Sequence, residues 1–330
     1  MNEIRIAMAG LAHNHGTGFL RNALTHPGVS IVGFFDNDNP ENAKAASEEF
    51  GAPVFTDLDE LLYHSGANTM LTACINCDKP RYIIRGLEAG LGVIADKPMA
   101  TKLEDLEKME AAVARTGAPI YLMLTERFDS AVYTAKQLID RGVIGTVAQQ
   151  YLVRPHRLNP AGRPDWMFHR SQYGGIFNDI GVHDVDLARF FAGCEISRVV
   201  GASTGNARFP QFTDFCDHAM ALFEMENGGT ATVAVNWLTP NAYHAHGDVR
   251  FCVTGTKGAL EISTVEKTVR ICTDGEAEHF AEIIPCPVDC AEDALNAMAD
   301  RSYKPMITTA DSIAATKAAL LAQQAAETGR

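Results

Sequence analysis

At 330 residues the chain is longer than one hydrophobic core usually supports, so two domains are expected. Hydrophobic residues at 46% and charged residues at 21% describe a folded globular chain. A formal net charge of −13 without any basic run argues against nucleic acid or an anionic membrane surface as partner, because both need clustered Lys and Arg.

No apolar stretch approaches the roughly 20 residues that span a bilayer. Met1 to Gly10 reads as a strand rather than a secretion signal, which makes a cytoplasmic location the expectation. The eight cysteines are scattered and read as reduced core thiols. Cys74 and Cys77 form a C-x-x-C, but no second ligand pair stands at zinc spacing, and no metal is expected.

The first third alternates apolar runs with helical stretches. Ile4–Ala9 reads as a buried strand, His15 to Thr25 as a helix, Val29–Phe35 as a second strand, and Pro40–Phe50 as a helix with proline at its start. Asn68–Ala73, Leu91–Ala95 and Pro119–Leu124 read as further strands, with helices at Lys79–Ala89 and Leu103–Arg115 between them. This rhythm predicts a doubly wound parallel sheet of the Rossmann α/β class over residues 1–124. Past Ser130 the pattern changes. Helix Ala131–Arg141 leads into a strand at Thr146–Arg154, and Gly175–Phe191 reads as one helix. From Val199 to Cys272, β-rich runs are broken by turn signals such as Asn227-Gly228-Gly229, which predicts a large open, mostly antiparallel sheet. Residues 125–330 therefore form an α+β domain for substrate and oligomerisation, closed by a helix over about 308–328 that packs back on the body.

Directly after the first strand stands Gly10-Leu11-Ala12-His13-Asn14-His15-Gly16. A dinucleotide fingerprint, G-x-G-x-x-G, uses glycines so that backbone N–H groups approach a pyrophosphate at a helix N-terminus. Only its first glycine is kept, with Ala12 and His15 at the other two positions, so an ordinary βα turn remains open at this point. Asp36, at the end of the second strand and followed by Asn37, supplies a second mark. An acidic residue there accepts hydrogen bonds from ribose hydroxyls and repels a 2′-phosphate. No Arg or Lys occurs between Gly28 and Lys44, which favours NAD over NADP.

Two further segments, Ala95-Asp96-Lys97-Pro98 and Gly174-Gly175-Ile176-Phe177-Asn178-Asp179-Ile180-Gly181-Val182-His183-Asp184-Val185-Asp186, carry a resemblance. Together with the Gly10 turn and Asp36 they resemble the glucose–fructose oxidoreductase, inositol dehydrogenase and rhizopine-catabolism (Gfo/Idh/MocA) family, over essentially the whole chain. The resemblance implies a catalytic set of Lys97, Asp179 and His183. It implies cofactor contacts from Gly10, Leu11, Ala12, His13, Asn14, Asp36, Asn37, Cys74, Ile75, Asn76, Asp96 and Lys97. The chain departs from the family pattern at Asp96, where Glu is usual, and at Cys74-Ile75, where Thr-Pro is usual. The chemistry of these residue types agrees with the implied roles. Asp179 and His183 are four apart, on one face of a regular helix. Histidine titrates near neutral pH and suits the base that removes a hydroxyl proton, while a lysine stabilises charge on the reacting oxygen.

Substrate contacts are expected from Arg127, His156, Trp166 and Tyr243, with Arg154 and Tyr173 as further candidates, because loops leaving a sheet gather specificity residues. The activity expected is hydride transfer between NAD and a secondary alcohol of a sugar, cyclic polyol or related hydroxy compound. Redox-neutral, NAD-using glycoside cleavage and nucleotide sensing without catalysis are the alternatives. An open sheet needs covering, so a homodimer or homotetramer is expected.

Overall fold

In the computed structural model, which describes residues 3–329, the chain forms two compact units. Met1 and Asn2, read from sequence as part of the first strand, lie outside the described residues. The first unit runs to Met123 and also takes in Ser171–Gly174 and Val288–Thr316.

Five strands, β1 (Ile4–Ala9), β2 (Val29–Phe35), β3 (Thr69–Thr72), β4 (Gly92–Ala95) and β5 (Ile120–Leu122), form a parallel sheet of order β2-β1-β3-β4-β5. β3, β4 and β5 are buried throughout, which is why they read as continuous apolar runs rather than as alternating ones. Between the strands lie α1 (Asn14–Ala23), α2 (Pro40–Phe50), α3 (Leu58–His64), α4 (Lys79–Glu88) and α5 (Leu103–Thr116). Sequence reading did not place α3. It is only seven residues long and is started by Asp57, whose carboxylate accepts from Asp59 and Glu60 N–H. The strand order reverses beside β1, and the turns after β1, β3 and β4 leave the sheet at its carboxyl end, where doubly wound sheets bind ligands.

The second unit comprises Leu124–Arg170, Gly175–Pro287 and Lys317–Arg330. It opens with α6 (Ser130–Asp140) and β6 (Val147–Pro155), followed by the one-turn α7 (Arg170–Tyr173), which straddles the boundary in sequence. Phe177–Gly181 is a π-helical turn that runs into α8 (Val182–Ala192). The uniform helix read over Gly175–Phe191 is thus corrected, because its first turn closes i→i+5 and is wider.

Strands β7 (Ile196–Gly205), β8 (His218–Met225), β9 (Thr230–Asn236), β10 (Arg250–Gly255), β11 (Gly258–Ser263), β12 (Thr268–Thr273) and β13 (Glu276–Phe280) join β6 in an eight-stranded sheet. Its order is β13-β12-β11-β10-β6-β9-β8-β7, antiparallel except for the β6–β9 pair. Alternating burial along β6, β8, β9 and β10 marks a covered and an open face.

The last elements are α9 (Cys290–Ala299), which sequence reading left out, and α10 (Thr309–Thr328). Within the first unit, the buried Asp293 of α9 accepts the Tyr121 hydroxyl at 2.8 Å, the Tyr303 hydroxyl at 3.0 Å and Met306 N–H at 3.0 Å. The Ser312 hydroxyl accepts Leu122 N–H at 3.0 Å. These bonds attach the late segment to β5. Among the described residues, no helix is long and apolar enough to cross a membrane.

Candidate active site

The turn after β1 is shaped by close approach. Gly10 has φ +81°, and a Cβ built there would lie 2.4 Å from Cys74 Cβ, so glycine is required on both counts. Tight seating of α1 on the sheet comes from Gly16 rather than from the fingerprint's third position, since a Cβ there would meet Met8 and Ala73 within 2.8 Å. His13 caps α1: its Nδ1 accepts His15 N–H at 3.2 Å. Asp36 is buried and bonds back to the same turn. One carboxylate oxygen accepts Leu11 N–H at 2.6 Å, and the other accepts Asp38 and Asn39 N–H at 3.0 and 2.8 Å. Asn37 is exposed beside it. Although no cation is near in sequence, the fold brings Arg81 of α4 to Asp38, with Nη2 to Oδ2 at 3.2 Å.

Around the end of β4 lies a buried polar cluster that sequence reading recognised only in part. The Lys79 side chain is wholly buried, and its ammonium donates to Lys97 O at 2.8 Å and Asn76 Oδ1 at 3.0 Å, with Asp96 Oδ2 at 3.5 Å. Asn76 in turn donates to Tyr173 O at 2.8 Å. Asp96 takes His15 Nδ1 at 2.9 Å on its other oxygen, and His13 Nδ1 stands 3.8 Å away. Burial opposes ionisation of Asp96, but Lys79, then the His15 hydrogen bond and the charges of His15 and His13, hold it well below the usual carboxylate range. One signal for Lys79 was present in the sequence: a cation as first residue of a helix opposes the helix dipole, so a lysine there calls for an anionic partner. His13, His15 and Asp96 bring two imidazoles and a carboxylate within 4.8 Å of one another. Their facing atoms bond each other, and the Lys79 ammonium on the carboxylate disfavours a divalent cation.

Burial, followed by the charges of His15, Lys97 and Lys79, pushes the His13 imidazole down to about 3 against the pull of Asp96. A folded pKa below the unfolded value of about 6.5 contributes stability that is complete above that value and is lost as pH falls toward the folded one. Unfolding free energy should therefore decline from about pH 6.5 to about pH 4 with uptake of about one proton. His13→Asn, which keeps a capping acceptor, should remove that slope. Denaturant titrations across this range check it; an unchanged slope in the variant refutes the assignment.

Cys74 is buried and its thiol is pushed up to about 12, and burial raises Cys77 as well. This is the opposite of a reactive pair. Ile75 is half-buried and leads into the 3₁₀ turn Asn76–Asp78 that starts α4.

In the second unit, Asp179 lies in the π-helical turn and His183 is the second residue of α8; both are buried. Their four-residue spacing spans a wider turn than a regular helix provides. The turn is anchored by Gln323 of α10, whose Oε1 accepts Phe177 N–H at 3.0 Å. Arg127 is buried, with Nε and Nη2 on the two oxygens of Asp186 at 2.7 and 2.6 Å. Arg154 is buried on Asp184 and Glu126. Trp166 is buried in a 3₁₀ turn. His156 is half-buried at the end of β6, with its Nδ1 donating to Pro155 O at 2.8 Å and its ring 4.5 Å from that of His246. Tyr243 lines a cavity of about 180 Å³ with Pro155, Asn236, Thr239 and Asp248.

A parallel sheet with a glycine-started turn, a helix N-terminus and a buried acid at the next strand end is the arrangement of a dinucleotide-binding unit. The family follows from comparison. Residues 4–123 match the oxidoreductase family with an NAD-binding Rossmann fold, and residues 132–261 match the GFO/IDH/MocA C-terminal domain. The chain belongs to this oxidoreductase family.

It is 28% identical over 269 residues to scyllo-inositol 2-dehydrogenase (NAD(+)) of Bacillus subtilis, covering 80% of this chain and 75% of that protein. A 2,7-anhydro-N-acetylneuraminate hydratase of Mediterraneibacter gnavus is 28% identical over 255 residues, 77% of this chain and 66% of its own length. Among solved structures, an oxidoreductase from Erwinia carotovora atroseptica superposes with a TM-score of 0.89 at 31% identity, covering 98% of this chain and 99% of that one.

Proposed function

We propose that this protein is an NAD-dependent dehydrogenase that reversibly oxidises a secondary alcohol of a cyclic polyol, sugar or related hydroxy compound. The observation that carries the reading is Lys97, partly exposed at the carboxyl end of β4, with its backbone carbonyl clamped by the buried Lys79. A lysine fixed by its main chain at this strand end carries an ammonium of the kind that stabilises charge on a reacting oxygen. His183 takes the hydroxyl proton on a ring nitrogen, and Asp179 orients the base or a neighbouring hydroxyl. NAD, when bound, supplies the hydride acceptor. The turn from Gly10 to Asn14, together with Asp36, Asn37, Cys74, Ile75, Asn76 and Asp96, forms the cofactor surface, and His156 and Tyr243 contact substrate. The inositol dehydrogenase relative supports this substrate class.

NAD is preferred over NADP because Asp36 follows β2 and Asp38 occupies Arg81, a cation that α4 brings to this turn. Removing Asp38 frees Arg81 for a 2′-phosphate. Asp38→Ala should therefore narrow the NAD-over-NADP ratio of kcat/KM by about tenfold. An unaltered ratio contradicts this role.

The hydratase relative favours a second reading, in which a transient oxidation ends in a redox-neutral product. One assay separates the two: NADH fluorescence over a panel of inositols, aldoses, sugar acids and glycosides, with product analysis alongside. Accumulating NADH establishes the dehydrogenase. A changed substrate without NADH establishes the redox-neutral route.

The open sheet face favours a second copy of this chain as partner. Met220, Tyr151, Val153 and Leu222 are 55, 47, 40 and 39% exposed, on neighbouring strands β8 and β6 about β9. Contiguous exposed apolar surface of this kind marks an interface. Tyr151→Lys with Met220→Lys should convert a dimer or tetramer to monomer in light scattering. A monomeric wild-type protein overturns the reading.

A further inference from the structure

We infer that the cavity of about 180 Å³ at the end of β6 is a second, non-reacting binding site for a small, uncharged polyhydroxy compound. The inference deepens the substrate reading above and rests on it for one residue: Tyr243 meets the hydroxy compound here, at a molecule other than the one being oxidised.

The register of the second sheet decides which side the cavity is on. Arg154 and Gln150 of β6 engage α8, the helix that carries His183: Arg154 Nη2 meets Asp184 Oδ1 at 2.9 Å, and Gln150 Nε2 donates to Ala188 O at 3.0 Å. Side chains alternate along a strand, so Tyr151, Val153 and Pro155 belong to the open face. Asn236 pairs with Pro155 and lies on that same face of β9. Both residues line the cavity, which therefore sits behind the sheet as seen from His183.

Its walls are preformed. Residues 237–248 cross the end of β6 and are fastened to it at both ends of the crossing: Thr239 N–H donates to His156 O at 3.1 Å, and Arg157 N–H donates to His246 O at 2.8 Å. Gly247 passes so close that a Cβ there would lie 1.6 Å from Pro155 O. A pocket fixed in this way loses little affinity to ordering.

The polar groups select the occupant. Thr239 is 5% exposed, and its hydroxyl oxygen has no hydrogen-bond partner among the described residues, a deficit that a ligand hydroxyl corrects. Asn236 commits its amide oxygen to Leu238 N–H at 2.9 Å, which leaves its NH2 as the donor it can offer. Burial, then the charge of Asp248 and a hydrogen bond to it, raise the Tyr243 hydroxyl above its ordinary value, so phenol and carboxylate stand together. Asp248 accepts Arg250 Nε at 2.9 Å, and the pair brings no net charge to the cavity. Pro155, Leu238 and Pro240 supply apolar walls that suit the C–H face of a polyol or sugar ring. The volume is below the roughly 300–1,000 Å³ of sites for drug-sized ligands, which limits the occupant to one ring or a short chain.

The test is isothermal titration calorimetry of the whole protein, without NAD, against myo-inositol, glucose and glycerol. Wild type should bind one of these, and Thr239→Val and Asn236→Ala should each bind it about tenfold more weakly, the loss of one hydrogen bond. Thr239→Val keeps the side-chain shape and removes an unpartnered hydroxyl, so its unliganded thermal midpoint should equal or exceed that of wild type. That midpoint tells a lost contact from folding damage, and Asn236→Ala carries the test if Thr239→Val does not fold. Lys97→Ala should bind as wild type does, because its ammonium serves the reacting molecule. Equal affinity in wild type and both variants overturns the inference. So does a change of oligomeric state in light scattering with no change in affinity, which means that a second copy of this chain fills the cavity. A wild type that binds none of the three yet reduces NAD with a compound of the panel above overturns the inference and leaves the dehydrogenase reading intact. A wild type that neither binds them nor turns over any compound of that panel overturns both.

Discussion

Lys97→Ala lowers turnover by about 10²- to 10⁴-fold while the NADH dissociation constant stays close to wild type. The structure makes this substitution informative, because Lys79 holds Lys97 by its backbone carbonyl at 2.8 Å, a bond that alanine keeps. The carboxylate of Asp96 keeps its contacts to Lys79, His15 and His13. What disappears is the ammonium alone, a group that stabilises charge developing on the substrate oxygen more strongly in the transition state than in the ground state. Loss of that kind appears in kcat and kcat/KM together, whereas loss of simple binding raises KM. Stopped-flow hydride transfer, monitored by NADH formation, separates chemistry from product release. Comparable turnover by the variant would remove Lys97 from the mechanism and leave the reading without its main support.

The legible part of the molecule was the part determined locally. Pro40 at the first position of α2 and Gly51 in the left-handed conformation at its end bracket a helix that sequence alone places. Buried runs such as Thr69–Thr72 announce a parallel sheet, and Asp36 announces its own strand end. Relations between distant residues stayed hidden. Arg127 and Arg154 read as loop cations suited to a substrate, yet each is buried against a carboxylate about thirty or more positions away, Asp186 or Asp184. Those two aspartates lie inside the same glycine-, aspartate- and histidine-bearing segment that carried the family resemblance, where attention falls on Asp179 and His183. Lys79 was taken for a helix residue because two of its three partners, Asp96 and Lys97, come from the end of β4. The π-helical turn leaves no trace in apolar periodicity, since Phe177 to Gly181 is buried on every side.

Arg154→Met is expected to cost about 3–5 kcal/mol of stability in the second unit. Arg154 is the largest fully buried side chain, and its guanidinium meets both Asp184 oxygens, with Nη2 to Oδ1 at 2.9 Å, and reaches Glu126 at 3.1 Å. Burial pushes the Asp184 carboxyl up to about 6 even against that guanidinium. Methionine leaves the carboxyl buried without its counter-charge, and a bare buried carboxylate is among the costliest defects a core can hold. Replacing both groups, Arg154→Met with Asp184→Leu, should recover most of the loss, because a well-packed apolar pair has no desolvation to repay.

The sign of the pH dependence gives a second check. A carboxyl whose folded pKa lies above its unfolded value of about 3.9 loses stability as pH rises through the folded one. The single variant should therefore be worse at about pH 8 than at about pH 5, and the double variant should lack that slope. Both tryptophans, Trp166 and Trp237, lie in this unit, so their fluorescence in urea reports its unfolding directly. A single variant within about 1 kcal/mol of wild type at every pH would mean that Asp184 is neutral in the native protein, and that the contact with Arg154 is an ordinary hydrogen bond rather than an ion pair.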